Sequence, residues 1–95
     1  MTAYVIVDIS VLDPIGYEKY KQLAPSSIAS YGGKYLARGG ANETLEGDWV
    51  PARLVILEFP DAQHARSWLT SKEYAPARDL RHRYASTNMV LVEGV

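Results

Sequence analysis

One stretch of this chain, from Arg53 to Tyr84, constrains the fold more than any other. It opens with a strand, Arg53–Phe59, that places apolar side chains on both of its faces, which is typical of a strand in the middle of a sheet. Asp61 follows as a helix N-cap, and Ser71 opens a second, shorter helical piece. A central strand followed directly by helices predicts a sheet with helices packed against it.

The first third of the chain predicts another strand and a long helix. Tyr4–Val11 alternates apolar and mixed residues at period two, which indicates a strand with one dry face. Asp13 and Pro14 favour a helix start, and apolar residues at steps of three or four continue to about Ser30. Pro25 lies inside this helix and cannot donate a backbone hydrogen bond, so we expect a kink or a break there.

Two further strands complete the order of elements. Lys34–Gly40 is a short strand that ends or bulges at its paired glycines. Ala41–Ala52 follows as a long polar hairpin loop, and Thr87–Glu93 forms the closing strand. The order strand, helix, strand, strand, helix, strand predicts an α+β, ferredoxin-like βαββαβ subunit with its helices on one face of four antiparallel strands.

Length and composition narrow the class of protein. The 95 residues predict one domain, residues 1–95, and a hydrophobic content of 47% excludes disorder. The net charge of -1 argues against nucleic-acid binding, and no apolar run approaches the roughly 20 residues that a membrane helix needs. Because there is no cysteine and no basic amino-terminal region, we expect a cytoplasmic protein.

The alternation also predicts an uncovered sheet face that is too apolar to remain in water. Its members, assigned from alternation alone, are Ile6, Asp8, Leu36, Arg38, Ile56, Glu58, Met89 and Leu91. Apolar patches of this size mark interfaces, so we expect a homodimer in which two such faces close into a barrel. Asp8, Arg38 and Glu58 would then lie inside the barrel and should pair, either as structural or as functional groups.

Several sequence blocks, in order along nearly the whole chain, resemble one family of small bacterial proteins. The blocks are AYVIVDISVLDPIGYEKYKQLAP, SYGGKYLARGG, LEGDW, RLVILEFPD, SKEYAPARDLR and VLVEG. The family is catalogued as domain of unknown function thirteen-thirty. The resemblance implies a ferredoxin-like subunit that forms a dimeric α/β barrel, and it implies no established activity. The wider superfamily includes cofactor-free quinol monooxygenases, haem-degrading enzymes, muconolactone isomerases and stress-responsive proteins, so fold alone says little about function.

His64 and Trp68 lie four residues apart and should share one helix face. They resemble the His and Trp found in helices of the superfamily's monooxygenases, which makes His64 a candidate catalytic residue and Trp68 a candidate substrate contact. We expect His64 in the space between helices and sheet, as the one side chain there that can exchange a proton near neutral pH without a large pKa shift. The alternative is that Trp68 belongs to the core and His64 is solvated at its edge. No second histidine is placed to ligate a haem.

Tyrosine is frequent, with seven in the chain, and a buried phenol needs a hydrogen-bond partner. We expect Tyr17, Tyr31, Trp68 and Tyr74 to line the space between helices and sheet, with Tyr17 and Tyr31 as catalytic candidates. Phenols that converge with an arginine form a pocket for a small planar or carboxylated ligand. Otherwise these tyrosines are simply core.

Arginines supply the candidate anion-binding groups. Arg38 would hold a substrate carboxylate if a bulge at Gly39 turned it toward the pocket rim, which conflicts with its expected place on the open face. Arg78, with Arg81 and His82 on the same helix face, could clamp a carboxylate or phosphate, or could belong to a solvated face that pairs with nearby acids. Two distant histidines and no clustered carboxylates predict no metal site, and we expect no cofactor.

Two functions remain open at this point. The chain is either a metal-independent enzyme, an isomerase or cofactor-free oxygenase acting on a small aromatic or carboxylated metabolite, or a non-catalytic barrel that binds a small ligand or serves a stress role. An enclosed pocket with a tyrosine hydroxyl and a guanidinium within reach of one ligand atom favours the enzyme. A filled interior favours the non-catalytic protein.

Overall fold

A four-stranded antiparallel sheet forms the framework of the computed structural model, which describes residues 1–95. The elements in chain order are β1 (Ala3–Val11), α1 (Pro14–Ser30), β2 (Lys34–Arg38), β3 (Leu54–Phe59), α2 (Ala62–Leu69), α3 (Ala75–Tyr84) and β4 (Ala85–Glu93). The strands lie in the order β2-β3-β1-β4, and each neighbouring pair is antiparallel. This is the ferredoxin-like α+β fold, so the predicted fold class is confirmed.

The core lies between one face of the sheet and the inner sides of the helices. Alternate residues of β1 and β3 are buried on this covered face, as the period-two pattern predicts. Trp68 and Tyr74 are 1% and 0% exposed and supply large buried aromatic surfaces. No helix of the chain has the length and apolar character needed to cross a membrane.

The helix α1 runs without interruption through Pro25, so the break that was one of the two outcomes predicted there does not occur. Asp13 caps its first turn, as predicted. Because proline has no backbone N–H, the carbonyl of Lys21 loses its usual helical partner. The guanidinium of Arg38 takes that place by donating a hydrogen bond from Nη2 to the Lys21 carbonyl at 2.9 Å.

A bulge in β2 overturns the predicted position of Arg38 on the open face. The pairing of β2 with β3 leaves Leu36 without a direct partner, and one extra residue moves every later side chain to the opposite face. Arg38 is therefore paired with Val55, whose side chain is buried under the helices. The irregularity lies at Leu36, three residues before the expected position at Gly39.

The register of β4 corrects two other predicted positions. Met89 lies opposite Val7 and Leu91 lies opposite Val5, and both β1 residues are buried on the covered face. Directly opposed residues share a face of the sheet, so Met89 and Leu91 also belong to the covered face. Val90, between them, lies on the open face and is 58% exposed.

The open face keeps Asp8 and Glu58, as predicted, but they do not pair with an arginine. Glu58 forms an ion pair with Lys34 on the neighbouring strand at 3.0 Å. Asp8 holds the loop between β2 and β3, because its carboxylate accepts hydrogen bonds from Trp49 Nε1 at 2.8 Å and from the Ala52 N–H at 3.0 Å. The loop is thereby attached to the open face of the sheet.

Candidate functional site

A small cavity lies between α1 and the covered face of the sheet. Its volume is about 20 Å³, which is room for about one water molecule. The side chains that line it are those of Val7, Ile9, Tyr17, Tyr20, Lys21, Ile28, Tyr35, Arg38, Arg53, Val55, Leu57, Trp68 and Met89. The charged members of this set are all basic, and neither a carboxylate nor a histidine is among them.

Arg53 is the cation that most needs a partner in this cavity. Its Nε atom is buried and has no hydrogen-bond partner, and its guanidinium carbon lies 5.8 Å from the centroid of the Tyr17 ring. A buried donor of a charged group without an acceptor carries a desolvation penalty. The Nε atom of Arg53 therefore lacks an acceptor among the surrounding side chains.

Gly39 provides the space that Arg53 occupies. Its φ of +72° lies in the left-handed region, and a Cβ atom added there would collide with the Arg53 guanidinium. The Gly39 N–H donates to the carbonyl of Leu54 at 2.9 Å, so the backbone is held close to β3. The glycine after β2 thus both permits the turn and positions the arginine.

Three phenols accompany the cations in the cavity wall. Burial raises the pKa of Tyr17, Tyr20 and Tyr35 above the ordinary tyrosine value. For Tyr17 the positive charge of Arg53 works against burial without overcoming it. The phenols therefore remain protonated near neutral pH and act as hydrogen-bond donors or neutral acceptors. A cavity with cations and neutral phenols but no acid suits an anionic ligand oxygen.

Arg38 lies at the edge of the cavity, between β2 and α1. Its guanidinium carbon is 4.7 Å from the centroid of the Tyr35 ring, and its hydrogen bond to the Lys21 carbonyl connects the two elements. The side chain is long and largely exposed, so it can leave this position without a backbone change. Its neighbour Lys21 is paired with Glu18 at 2.8 Å.

His64 and Tyr31 lie outside the cavity, so their expected place between helices and sheet is wrong. Asp61 caps α2, and its Oδ1 accepts a hydrogen bond from the His64 N–H at 2.8 Å and lies 2.7 Å from His64 Nδ1. These contacts lower the pKa of Asp61 and hold the imidazole at the helix start. Tyr31 donates to Glu73 at 3.1 Å, and Tyr31 and His64 line one shallow surface groove.

The predicted ligand contacts are divided between the cavity and the core. Trp68 lines the cavity, while its Nε1 donates to Ser27 Oγ at 3.2 Å. Tyr74 lies behind the wall, with its hydroxyl 2.9 Å from that of Tyr20. Arg78 is not part of the site, because its Nη1 donates at 2.7 Å to the carbonyl of the last residue of α2 and so ties α3 to α2.

Arg53, Tyr20 and Tyr35 were not among the predicted site residues. The signal for Arg53 was present, because period-two alternation places it on the same face as Val55 and Leu57. It was overlooked because a charged residue at a strand end is more often solvated. No group of three or more His, Cys, Asp or Glu side chains is arranged to hold a metal ion.

Structural comparison gives neighbours with the same fold. A protein of unknown function from Rhodopseudomonas palustris, RPA0582, has a TM-score of 0.77 at 16% identity, covering 99% of this chain and 82% of that one. SnoaB, a cofactor-independent oxygenase from Streptomyces nogalater, has a TM-score of 0.67 at 11% identity, covering 99% and 93%. A dimeric protein of unknown function with a ferredoxin-like fold from Bacteroides fragilis has a TM-score of 0.60 at 16% identity, covering 98% and 96%.

At these identities the neighbours establish the fold alone. No curated protein matches the chain significantly by sequence. The sequence blocks that suggested a family do identify it: residues 2–95 match the family described as Domain of unknown function (DUF1330), and the chain belongs to that family.

Proposed function

We propose that this chain is a metal-independent enzyme, an isomerase or cofactor-free oxygenase, that binds a small aromatic or carboxylated metabolite as an oxyanion in the cavity. The observation that carries the proposal is Arg53, whose buried Nε has no acceptor in a cavity that contains further cations and phenols but no acid. An anionic oxygen of the substrate supplies the missing acceptor and the missing negative charge.

The arrangement fits chemistry that passes through an enolate or a phenolate. Isomerisation next to a carbonyl group needs a stabilised enolate, and an electron-rich aromatic ring reacts with oxygen more readily as its anion. Arg53 would stabilise the negative charge, the Tyr17 hydroxyl would donate a hydrogen bond to it, and Trp68 would pack against the ring. The description of SnoaB as a cofactor-independent oxygenase supports the oxygenase form of this proposal.

A ligand larger than water needs the cavity to open. Arg38 is suited to this because it bridges β2 and α1 by one hydrogen bond to a backbone carbonyl, at 2.9 Å. A substrate carboxylate is a stronger acceptor for a guanidinium than a neutral carbonyl. Binding would therefore move the Arg38 guanidinium from the Lys21 carbonyl to the ligand. The same movement would widen the entrance to the cavity between β2 and α1.

The second candidate is a non-catalytic barrel that binds a small ligand. Two observations favour it: the cavity holds about 20 Å³ as it stands, and its lining offers no histidine or carboxylate to transfer a proton near neutral pH. Under this alternative the same arginines and phenols bind an anion that leaves unchanged.

We also propose that the functional unit is a homodimer assembled through the open sheet face. Leu36 and Val90 are 50% and 58% exposed there, which is a large apolar exposure for an isolated subunit. The neighbour from Bacteroides fragilis is described as dimeric. Burying this face against a second copy would remove the apolar side chains from water.

The test is binding and turnover with a panel of hydroxylated aromatic acids and enolisable keto acids, with chelator present. Binding is followed by thermal shift, isomerisation by absorbance and oxygenation by oxygen consumption. Wild-type protein should bind and convert at least one compound, and Arg53→Met should lose both activities. Arg66→Met, which removes an exposed cation from α2, is the matched control and should behave as wild type.

The outcomes separate the two candidates. Binding that depends on Arg53 without any conversion would favour the non-catalytic barrel. Failure of the whole panel to bind, or equal binding by Arg53→Met, would remove the cavity as a ligand site.

A further inference from the structure

A buried arginine lies behind the cavity wall without an acidic partner. Arg81 is 4% exposed, and none of the groups that its guanidinium contacts is a carboxylate. Nε donates to the Tyr74 hydroxyl at 3.1 Å, Nη1 donates to Thr87 Oγ1, and Nη2 lies 3.3 Å from His82 Nε2. The face predicted for Arg78, Arg81 and His82, whether as an anion clamp or as a solvated face, is therefore wrong, because Arg81 points into the core.

Keeping a cation at this depth is costly unless its hydrogen bonds compensate for the lost hydration. None of the ion pairs in the chain includes Arg81. If the only role of this residue were to link α3 to β4, a neutral hydrogen-bond donor could do so at a lower desolvation cost. The contact with Tyr74 distinguishes Arg81 from a purely structural link, because Tyr74 in turn contacts Tyr20 in the cavity wall.

The hydrogen bonds along this chain of groups have a defined direction. A guanidinium can only donate, so the Tyr74 oxygen accepts from Arg81. The Tyr74 hydroxyl proton then needs an acceptor of its own, because Tyr74 is 0% exposed, and the Tyr20 oxygen at 2.9 Å is the one acceptor found for it. Tyr74 therefore donates to Tyr20.

Counting the hydroxyl protons of Tyr20 and Tyr74 shows which of them has no acceptor in the protein. The two phenols carry two hydroxyl protons, and the bond between them uses one. If Tyr20 donated instead, the Tyr74 proton would be buried without an acceptor, which is costly. The remaining proton therefore belongs to Tyr20, which lines the cavity, and a ligand or a water in that space is the acceptor available to it.

From this geometry we propose that Arg81 is a positioning residue which, through Tyr74, directs the hydroxyl proton of Tyr20 into the cavity. Tyr20 then joins Arg53 and Tyr17 as a further donor for an oxyanion. The inference rests on the proposed function for the identity of the ligand as an oxyanion, and it adds the residues that fix the polarity of the wall. The direction of the Tyr20 proton is a property of the ligand-free protein and is testable without any ligand.

The first measurement is therefore NMR of the tyrosine hydroxyl protons in ligand-free protein with labelled tyrosine. In wild type the Tyr74 proton should exchange slowly and lie close to the Tyr20 ring, and the Tyr20 proton should exchange fast with cavity water. In Arg81→Met the Tyr74 oxygen no longer has to accept from a cation, so the bond can reverse and the Tyr20 proton should become the protected one. A Tyr20 proton that is already protected in wild type would overturn the inference.

The second measurement uses 4-nitrophenol as an oxyanion probe whose phenolate absorbs visible light. Binding to wild type should raise the phenolate fraction at fixed pH, and Arg81→Met should weaken phenolate binding by about tenfold, the effect of one hydrogen bond to a charged group, because Tyr20 then donates to Tyr74 instead. In the double variant Arg81→Met/Tyr74→Phe that competing acceptor is gone, so binding should return toward wild type. Tyr84→Phe, which removes a half-buried hydroxyl outside the cavity, is the matched control. Arg81→Lys retains a cationic donor and should recover part of the binding.

A negative result in one of these measurements does not decide the other. If 4-nitrophenol does not bind to wild type, the proposed function loses its support while the NMR result still decides the role of Arg81. If the probe binds equally to folded wild type and folded Arg81→Met, Arg81 has only a structural role. If Arg81→Met does not fold, Tyr74→Phe still decides, because it should leave phenolate binding near wild type under this inference and should strengthen it if Tyr20 donates to Tyr74 in wild type.

Discussion

The position of Arg53 depends on the absence of one side chain, that of Gly39. This glycine has a positive φ, and its missing Cβ leaves room for the guanidinium. We expect Gly39→Ala to lower the free energy of unfolding by about 1–3 kcal/mol, from backbone strain and steric conflict. It should also weaken benzoate binding, because Arg53 must move away from the cavity. Urea unfolding and calorimetric titration measure the two effects.

The neighbouring glycine offers a matched control for this residue-scale prediction. Gly40 has no atom within 4 Å of an added Cβ and no positive φ, so Gly40→Ala should leave both stability and benzoate binding near wild type. Equal effects from the two substitutions would show that Gly39 acts only as a flexible turn residue. Benzoate binding by Gly39→Ala at wild-type strength would show that Arg53 is not the anion-binding group.

Among the elements, the helix α1 accepts a proline in its interior because Arg38 of β2 supplies the missing hydrogen-bond donor. Pro25→Ala restores a backbone N–H opposite the Lys21 carbonyl, so the free energy of unfolding should rise, by up to about 3 kcal/mol. The carbonyl then has a helical partner, and Arg38 is held less firmly across the cavity edge. We expect benzoate to associate faster with this variant, as measured by stopped-flow fluorescence.

Pro76 provides the comparison for this prediction at the level of the helix. It lies in the first turn of α3, where a backbone N–H would have no helical partner in any case. Pro76→Ala should therefore change stability little and leave the association rate unchanged. An unchanged association rate in Pro25→Ala would mean that Arg38 does not control access to the cavity.

The elements themselves were predictable from the sequence, but the pairing between them was not. Alternation at period two and helical spacing depend on each segment alone, and the caps at Asp13 and Asp61 mark helix starts by local chemistry. The bulge at Leu36 is a property of the pairing between β2 and β3, so the sequence of β2 alone does not predict it. For the same reason alternation separated the two faces of β4 but did not indicate which one the helices cover.

The residues of the candidate site that could be predicted from the sequence are those whose positions follow from the periodicity of a single helix or strand. Tyr17 and Trp68 were found from the inner lines of their helices, and both line the cavity. His64 was misplaced because the local contact with Asp61 directs its ring to the helix end, which helical spacing does not express. Arg38 reached the cavity only through the strand bulge, a pairing effect.

For the molecule as a whole, the open face predicts self-association. Two chains that bury a standard interface, about 1,200–2,000 Å² in total, should sediment as a dimer at micromolar concentration. Val90→Lys places a charge on this face and should give a monomer, because an unpaired buried charge is costly. Analytical ultracentrifugation over a concentration series measures the change.

Ile15 supplies the control for the association experiment. It is also apolar and is 83% exposed, but it lies on α1, away from the open face of the sheet. Ile15→Lys should therefore remain a dimer. A monomeric wild type, or equal dissociation caused by both substitutions, would contradict assembly through the sheet.

The attachment of the β2–β3 loop has a consequence for how ligand and assembly affect each other. Ala52 donates its N–H to Asp8 on the open face, and the next residue, Arg53, reaches the cavity on the other face. One peptide bond thus joins the surface proposed for self-association to the cation proposed for ligand binding. A ligand that moves Arg53 would also displace Ala52, which shares the Asp8 carboxylate with Trp49 on the face proposed for self-association. Thermodynamic reciprocity then requires that ligand strengthens or weakens the dimer by the same factor by which dimerisation changes ligand affinity.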